Sequence, residues 1–294
     1  MIEFTKMEGL GNDYVYIDCT RKNNQEILKL SKLAIEISDR HFGVGSDGLI
    51  LICKSKVADF KMLMYNQDGS QAEMCGNGIR CVGKYVYDKG LTNKKNITIE
   101  TLAGVKSLNM NIHNHVVKSV TVNMGKPLFD DKIIPCIADK KIKYQEEIIS
   151  CVNINVLDKK FDLTCLSMGN PHAITIVDNV NDFDIKKYGE IIECDKHFPK
   201  KMNVEFVEII DDKTIKMRVW ERGSGETLAC GTGASASVVA CILNGLIAKN
   251  KDIKVQLLGG NLNIKWNQDV FMTGPANIVF EGTYVTKTVN SSQK

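Results

Sequence analysis

The sequence predicts an α/β protein of the α+β type, built as two pseudo-symmetric domains from an internal duplication. The first observation behind this is a cysteine on a glycine turn that occurs twice, in MCGNGIRCVGKYVYDKGL at 74–91 and ACGTGASASVVACILNGL at 229–246. Cys75 matches Cys230, Gly76 matches Gly231, Gly78 matches Gly233 and Gly90-Leu91 matches Gly245-Leu246, at a constant offset of 155 residues (230 − 75). The second is that the flanks repeat too. KMLMYNQDGSQAEMCGNG (61–78) aligns without a gap on KMRVWERGSGETLACGTG (216–233), and ITIETLAGV (97–105) matches IKVQLLGGN (253–261) with one residue gained. GNDYVYID (11–18) resembles GNPHAITIVD (169–178) with two extra residues before the final Asp. The third is length: 294 residues, 44% hydrophobic and 25% charged, supply two cores of roughly 100 to 150 residues each. A period this long gives paired domains and not a solenoid, with Cys75 and Cys230 related by a pseudo-two-fold axis.

Each half reads as strand-rich with one principal helix after the cysteine. In the first half, apolar alternation predicts strands near 2–6, 14–19, 48–53, 58–65, 97–102, 105–112 and 116–123. A helix over 25–39 would present Ile27, Leu30, Leu33, Ala34 and Ile37 on one face. The helix after the first glycine turn is predicted to begin at Asn77 and its counterpart at Thr232, where the small-residue run ASASVVACIL permits burial on nearly all sides. GKPLFDDKIIP (125–135) reads as the crossover between domains, and NIVFEGTYV is assigned back to the first domain. The predicted domains are therefore 1–124 plus 277–294, carrying Cys75, and 125–276, carrying Cys230. The polar tail after Tyr284 reads as frayed.

Composition excludes several function classes. A net charge of +3 with scattered lysines gives no nucleic-acid footprint. No apolar run approaches the ~20 residues that span a bilayer, and MIEFTKM is no secretory leader, so the expected location is the cytoplasm. The ten cysteines, at 19, 53, 75, 81, 136, 151, 165, 194, 230 and 241, contain no C-x2-C pair and no partner H-x3-5-H, so zinc lacks its signature. Most sit in apolar runs, such as LILIC and LTCLSM, where free cysteine behaves as a small hydrophobe. GVGSDG (43–48) satisfies G-x-G-x-x-G but follows a helix and leads into a strand, the reverse of the order a dinucleotide site needs. GTGASA (231–236) does open a helix, yet no acidic residue lies at the right distance beyond it.

Cys-Gly-x-Gly has a chemical meaning of its own. A thiol just before a helix faces unpaired N–H groups and the positive end of the helix dipole, both of which favour thiolate. Those N–H groups can also hold a carboxylate, and the glycines let backbone approach ligand closely. Two such turns would hold an amino acid's carboxylate and flank its α-carbon with two sulfurs, as inversion at carbon requires.

GLGNDYVYID, NQDGSQAEMCGNGIRC, MGNPHAI, NVEFVEI and ERGSGETLACGTG together resemble the diaminopimelate epimerases, cofactor-independent enzymes of lysine and cell-wall biosynthesis, along essentially the whole chain. The resemblance implies that each half is a curved, mostly antiparallel sheet or barrel around a central helix. It implies interconversion of LL- and meso-diaminopimelate by two catalytic cysteines, Cys75 and Cys230, with no cofactor, no metal and a small-molecule amino acid as substrate. The related proline racemases have His where this chain has Asn77, and phenazine-biosynthesis isomerases lack the cysteine pair. The resemblance further implies that Asn12, Asn66, Asn170 and Asn203 bind the substrate, with Arg222 on its distal carboxylate. Gly76-Asn77 and Gly231-Thr232 would take the reacting carboxylate, while His172 and Glu221 would hold the α-amino group and orient the site. Gly48 stands where some members carry Gln. The sequence leaves the oligomeric state open, a homodimer included. Two other classes compete, a thiol redox protein and a noncatalytic amino-acid binder. The first has no use for the Asn, His, Glu and Arg set, and the second has none for both thiols.

Overall fold

The computed structural model describes residues 1–21 and 30–286. Residues 25–29 of the predicted first helix, Ile27 among them, lie outside the described residues, as does the tail beyond 286. Two compact units emerge: the described residues of Met1–Lys118 with Ala276–Lys294, and Ser119–Pro275.

The first unit opens with β1 (Ile2–Gly9) and β2 (Asn12–Asp18), followed by α1 (Leu30–Ser38), β3 (Gly48–Cys53), β4 (Phe60–Asn66), the short β5 (Gln71–Ala72), α2 (Gly76–Asp88), β6 (Asn96–Thr101) and β7 (Gly104–His113). Pairing is antiparallel except at β2 with β3 and at β4 with β6. The run Leu49–Ile50–Leu51–Ile52 is apolar without alternation because helices cover both faces of the strand. On one face Leu49 and Leu51 join Val15, Ile17 and Phe4 against Leu33, Ala34 and Ile37 of α1. On the other, Ile50 meets Gly78 of α2, and the Tyr16 hydroxyl donates to the Gly78 carbonyl at 3.1 Å. Since side chains alternate along a strand, Asn12, Tyr14 and Tyr16 share the α2 face.

The second unit repeats this plan. Chain order gives β8 (Val116–Gly125), β9 (Lys140–Tyr144), β10 (Glu147–Val156), β11 (Lys159–Ser167), β12 (Pro171–Ile176), α3 (Ile185–Glu193), β13 (Asn203–Asp211), β14 (Thr214–Glu221), β15 (Gly225–Thr227), α4 (Gly231–Leu243), β16 (Asp252–Leu257), β17 (Gly260–Trp266) and β18 (Val270–Gly274). Again the parallel pairs are two, β12 with β13 and β14 with β16. α3 takes the place of α1, with Gly189 pressed so close to Trp220 that a Cβ there would meet the indole at 2.7 Å. α4 takes the place of α2, and every residue from Gly233 to Leu243 is buried. Strand β8 pairs antiparallel with β18, and the last strand, β19 (Asn277–Tyr284), pairs with β1 of the first unit.

Register makes the duplication quantitative. Tyr14 lies opposite Gly48 and Gly48 opposite Asn66 in one unit; His172 lies opposite Asn203, next to the Val204–Trp220 pair, in the other. Asn12, Tyr14, Gly48 and Asn66 thus correspond to Asn170, His172, Asn203 and Glu221. Both helices begin one residue before their predicted starts, at Gly76 and Gly231. Among the described residues, no helix is long and apolar enough to cross a membrane.

Candidate active site

Cys75 and Cys230 occupy the same position in their units, the N-cap of α2 and of α4. Each has extended backbone, φ −128° and ψ 122° at Cys75 and φ −119° and ψ 111° at Cys230. Each sulfur accepts a backbone N–H three residues on, Gly78 to Cys75 at 3.4 Å and Gly233 to Cys230 at 3.3 Å. In both, the carbonyl of the cysteine takes the next N–H, that of Ile79 or Ala234. The N–H groups of Gly76 and Asn77, and of Gly231 and Thr232, therefore open their helices as a pair on each side, the geometry that receives an anion.

In the first unit the Cys75 thiol donates to Asn12 Oδ1 at 3.1 Å, and Asn12 Nδ2 donates to Asp47 Oδ2 at 2.7 Å. The Tyr14 hydroxyl bonds to both Asn12 and Cys75, and burial followed by the charges of Cys75 and Asp47 pushes its pKa well up, so it stays protonated. Behind Asp47, Arg40 bridges Asp47 at 2.9 Å and Asp13 at 3.0 Å, and Asp13 also holds Lys6 at 2.5 Å. Asn66 turns away into a tight turn, its Nδ2 donating to Ser70 Oγ at 3.0 Å. At Gly48 a Cβ would fall 2.1 Å from the Tyr65 carbonyl and 2.9 Å from the Tyr14 ring, so the backbone of β4 leaves no room for a side chain there.

In the second unit His172 and Glu205, both fully buried, face each other with Nδ1 to Oε1 at 2.7 Å. His172 Nε2 lies 3.0 Å from Asn170 Oδ1, so both ring nitrogens are engaged. Asn203 links backbone on two sides, donating to the Pro171 carbonyl at 2.7 Å and accepting the Arg222 N–H at 2.9 Å. Arg222 is exposed, and its guanidinium reaches the Lys200 carbonyl at 3.3 Å. Glu221 accepts from Thr227 Oγ1 at 2.5 Å, and Thr232 Oγ1 sits 3.4 Å from the Cys230 sulfur.

Helix geometry does not set the protonation of Cys230. Burial raises its pKa well above the usual thiol value, the charges of Glu221 and Glu205 raise it further, and the Thr232 hydroxyl and Gly233 N–H oppose them without prevailing. The helix terminus favours thiolate through the Gly233 N–H, and desolvation of a buried anion opposes it.

Within each unit the predicted residues thus gather around a helix N-terminus: Asn12, Cys75, Gly76 and Asn77 in one, and Asn170, His172, Asn203, Glu221, Cys230, Gly231 and Thr232 in the other. Sequence reasoning missed Tyr14, Asp47 and Glu205. Tyr14 and Glu205 had a signal available, since they lie two residues beyond Asn12 and Asn203 on strands and so share their face. Asp47 had none, because it comes from a loop. Among the described residues, no group of three or more His, Cys, Asp or Glu is arranged to hold a metal ion.

A family model described as "Diaminopimelate epimerase" matches residues 4–129 and 164–279. A "Diaminopimelate epimerase" of Methanococcus maripaludis (strain C6) is 54% identical over 96% of this chain and 99% of its own length. Another of that name from Acetivibrio thermocellus is 52% identical over 96% and 98%. Among solved structures, a hydroxyproline epimerase from Agrobacterium vitis with bound trans-4-OH-L-proline is similar with a TM-score of 0.66 at 13% identity, covering 98% of this chain and 94% of that one, a likeness of fold.

Proposed function

This chain belongs to the diaminopimelate epimerase family, and from that premise we propose that it interconverts LL- and meso-diaminopimelate without a cofactor, in the cytoplasm, for lysine and peptidoglycan precursors. The observation that carries the reading is the matched pair of N-cap thiols, Cys75 on α2 and Cys230 on α4, with the same backbone angles and the same sulfur-to-N–H contact.

The reaction follows from these groups. One cysteine, as thiolate, takes the α-hydrogen; the electron pair spreads into the adjacent carboxylate, which the N–H pairs Gly76-Asn77 and Gly231-Thr232 stabilise. The other cysteine, as thiol, gives its proton to the opposite face and is left as thiolate, so the two sulfurs have exchanged roles. Glu221 pairs with the α-ammonium, and Asn12, Asn66, Asn170, Asn203 and Arg222 hold the rest of the substrate. Amides suit such a ligand because each offers a donor and an acceptor to a zwitterion.

Isotope exchange tests it. In deuterated water, product formed at early times carries deuterium at the inverted carbon almost completely, while remaining substrate stays mostly protiated. Early-time mass spectrometry of both epimers reads this, starting from each in turn. Substantial substrate-derived hydrogen in the product overturns the two-thiol account.

A further inference from the structure

Each cysteine keeps a hydroxyl at its sulfur, but the two hydroxyls come from positions that are not duplicates of one another. At Cys230 it is Thr232 Oγ1, 3.4 Å from the sulfur. At Cys75 it is Tyr14, whose hydroxyl bonds to the thiol and to Asn12. The counterpart of Thr232 in the first unit is Asn77, and the counterpart of Tyr14 in the second is His172, whose two ring nitrogens face Glu205 and Asn170. The hydroxyl has changed its place in the chain and kept its place at the sulfur.

The other contacts of Cys75 show what this hydroxyl can do. As a thiol, Cys75 donates to Asn12 Oδ1 at 3.1 Å. That amide cannot turn over to offer a donor instead, because its NH2 is held by Asp47 Oδ2, an oxygen that also accepts the Asp13 N–H at 3.0 Å. Once the sulfur has lost its proton it can only accept, and the oxygen of Asn12 has no proton to give. The Gly78 N–H, at 3.4 Å, and the Tyr14 hydroxyl are donors placed to meet it. Packing holds the phenol there. Tyr14 is 5% exposed, lies opposite Gly48, and runs so close over it that a Cβ at Gly48 would meet the ring at 2.9 Å. Burial keeps the phenol protonated, so it remains a donor.

We propose that Tyr14 is a catalytic residue whose hydroxyl donates to the Cys75 sulfur whenever that sulfur is a thiolate, as the Thr232 hydroxyl does at Cys230. Resting on the function proposed above, this gives the hydroxyl a part in both directions of the reaction. With one epimer Cys75 starts as the base, and with the other it ends as the thiolate left behind; the donor stabilises the charge in each case. No proton leaves the phenol. The hydroxyl changes its acceptor from Asn12 Oδ1 to the sulfur.

Iodoacetamide labelling, followed residue by residue through peptide mapping as pH is raised, tests the contact without turnover. Tyr14→Phe is expected to move the midpoint of Cys75 labelling up by about one pH unit, the span of a hydrogen bond to a charged group, with the exposed Cys194 as internal standard. Arg80, Cys81, Tyr16 and Asp47, the other ionisable groups around the sulfur and the phenol, and Glu8 behind Arg80, are common to both proteins. Burial keeps Cys81 and Tyr16 protonated, so the shift belongs to Tyr14. A fluorotyrosine introduced at position 14 alone, a stronger donor of nearly the same shape, moves the midpoint the other way. In kinetics with LL-diaminopimelate, Tyr14→Phe lowers kcat about tenfold with KM within about twofold of wild type. Coinciding labelling curves for wild type and Tyr14→Phe overturn the proposal, and so does a kcat within about twofold of wild type. Should Tyr14→Phe not fold, the fluorotyrosine protein decides, and an unmoved midpoint overturns the proposal. Should wild-type protein not turn over diaminopimelate, the functional reading fails, and the labelling curves still decide the hydrogen bond by themselves.

Discussion

Cys230 sits where opposing effects meet, and their balance has a measurable consequence. Burial and the carboxylates Glu221 and Glu205 hold the thiol protonated against the Thr232 hydroxyl and the Gly233 N–H. Because burial and these two carboxylates raise its folded-state pKa, Cys230 of the ligand-free protein favours the thiol over the thiolate at neutral pH. Iodoacetamide labelling followed by peptide mapping should show Cys230 lagging the exposed Cys194 at every pH from neutral to 9; equal rates at neutral pH contradict this ordering. Arg222→Lys is expected to raise KM by about tenfold and to weaken discrimination against amino acids lacking a distal carboxylate, because a point charge replaces a planar fork. Steady-state kinetics with substrates of both kinds measures it, and unchanged constants remove Arg222 from the site. At this scale the cysteines and their glycines were legible, since their backbone geometry is written in the local motif. Glu205 and Asp47 were not, because their roles depend on contacts between segments distant in sequence.

At the scale of elements, the equivalent glycines Gly78 and Gly233 separate two kinds of constraint. A Cβ at Gly78 would meet the terminal carbon of Ile50 at 2.7 Å, the end of a flexible side chain. A Cβ at Gly233 would meet the buried Glu205 carboxylate at 2.6 Å, with Cys230 at 3.3 Å. Gly233→Ala is therefore expected to destabilise by about 1–3 kcal/mol, with loss of activity, and Gly78→Ala by less. Thermal unfolding of the two variants decides; an equal Tm loss contradicts the distinction. The helices themselves were readable because the glycine turn marks where each begins, yet both start a residue early, at Gly76 and Gly231. The cysteine already serves as N-cap, and its sulfur takes the N–H that a Ser or Asp side chain would otherwise take. Strand β3 was readable as strand from LILIC, but its lack of alternation becomes intelligible only when α1 and α2 are seen on its two faces.

At the scale of the whole molecule, the two units differ in how the chain makes them. The elements β8 to β18 run consecutively, whereas the first unit needs β19 to return to β1, bringing Phe280 edge-on to Phe4 at 5.8 Å. A fragment of residues 116–275 is expected to unfold cooperatively by circular dichroism, and residues 1–118 to do so only when a 276–294 peptide is added. Cooperative unfolding of 1–118 alone contradicts this. The duplication was plain in the sequence because its glycine turns and strand lengths survived; what diverged was the polar complement, Tyr14 against His172 and Gly48 against Asn203. The helix α4, buried from Gly233 to Leu243, carries a further consequence. Its amides have no path to water by local fraying, so their hydrogen exchange reports opening of the entire unit. A ligand seated at its N-cap would stabilise the folded unit, by about 2.7 kcal/mol at a hundredfold excess over Kd. The same helix that positions the Cys230 thiol thereby serves as a clock: the slowing of its deuterium uptake reads out the affinity of any substrate or inhibitor, with no turnover required.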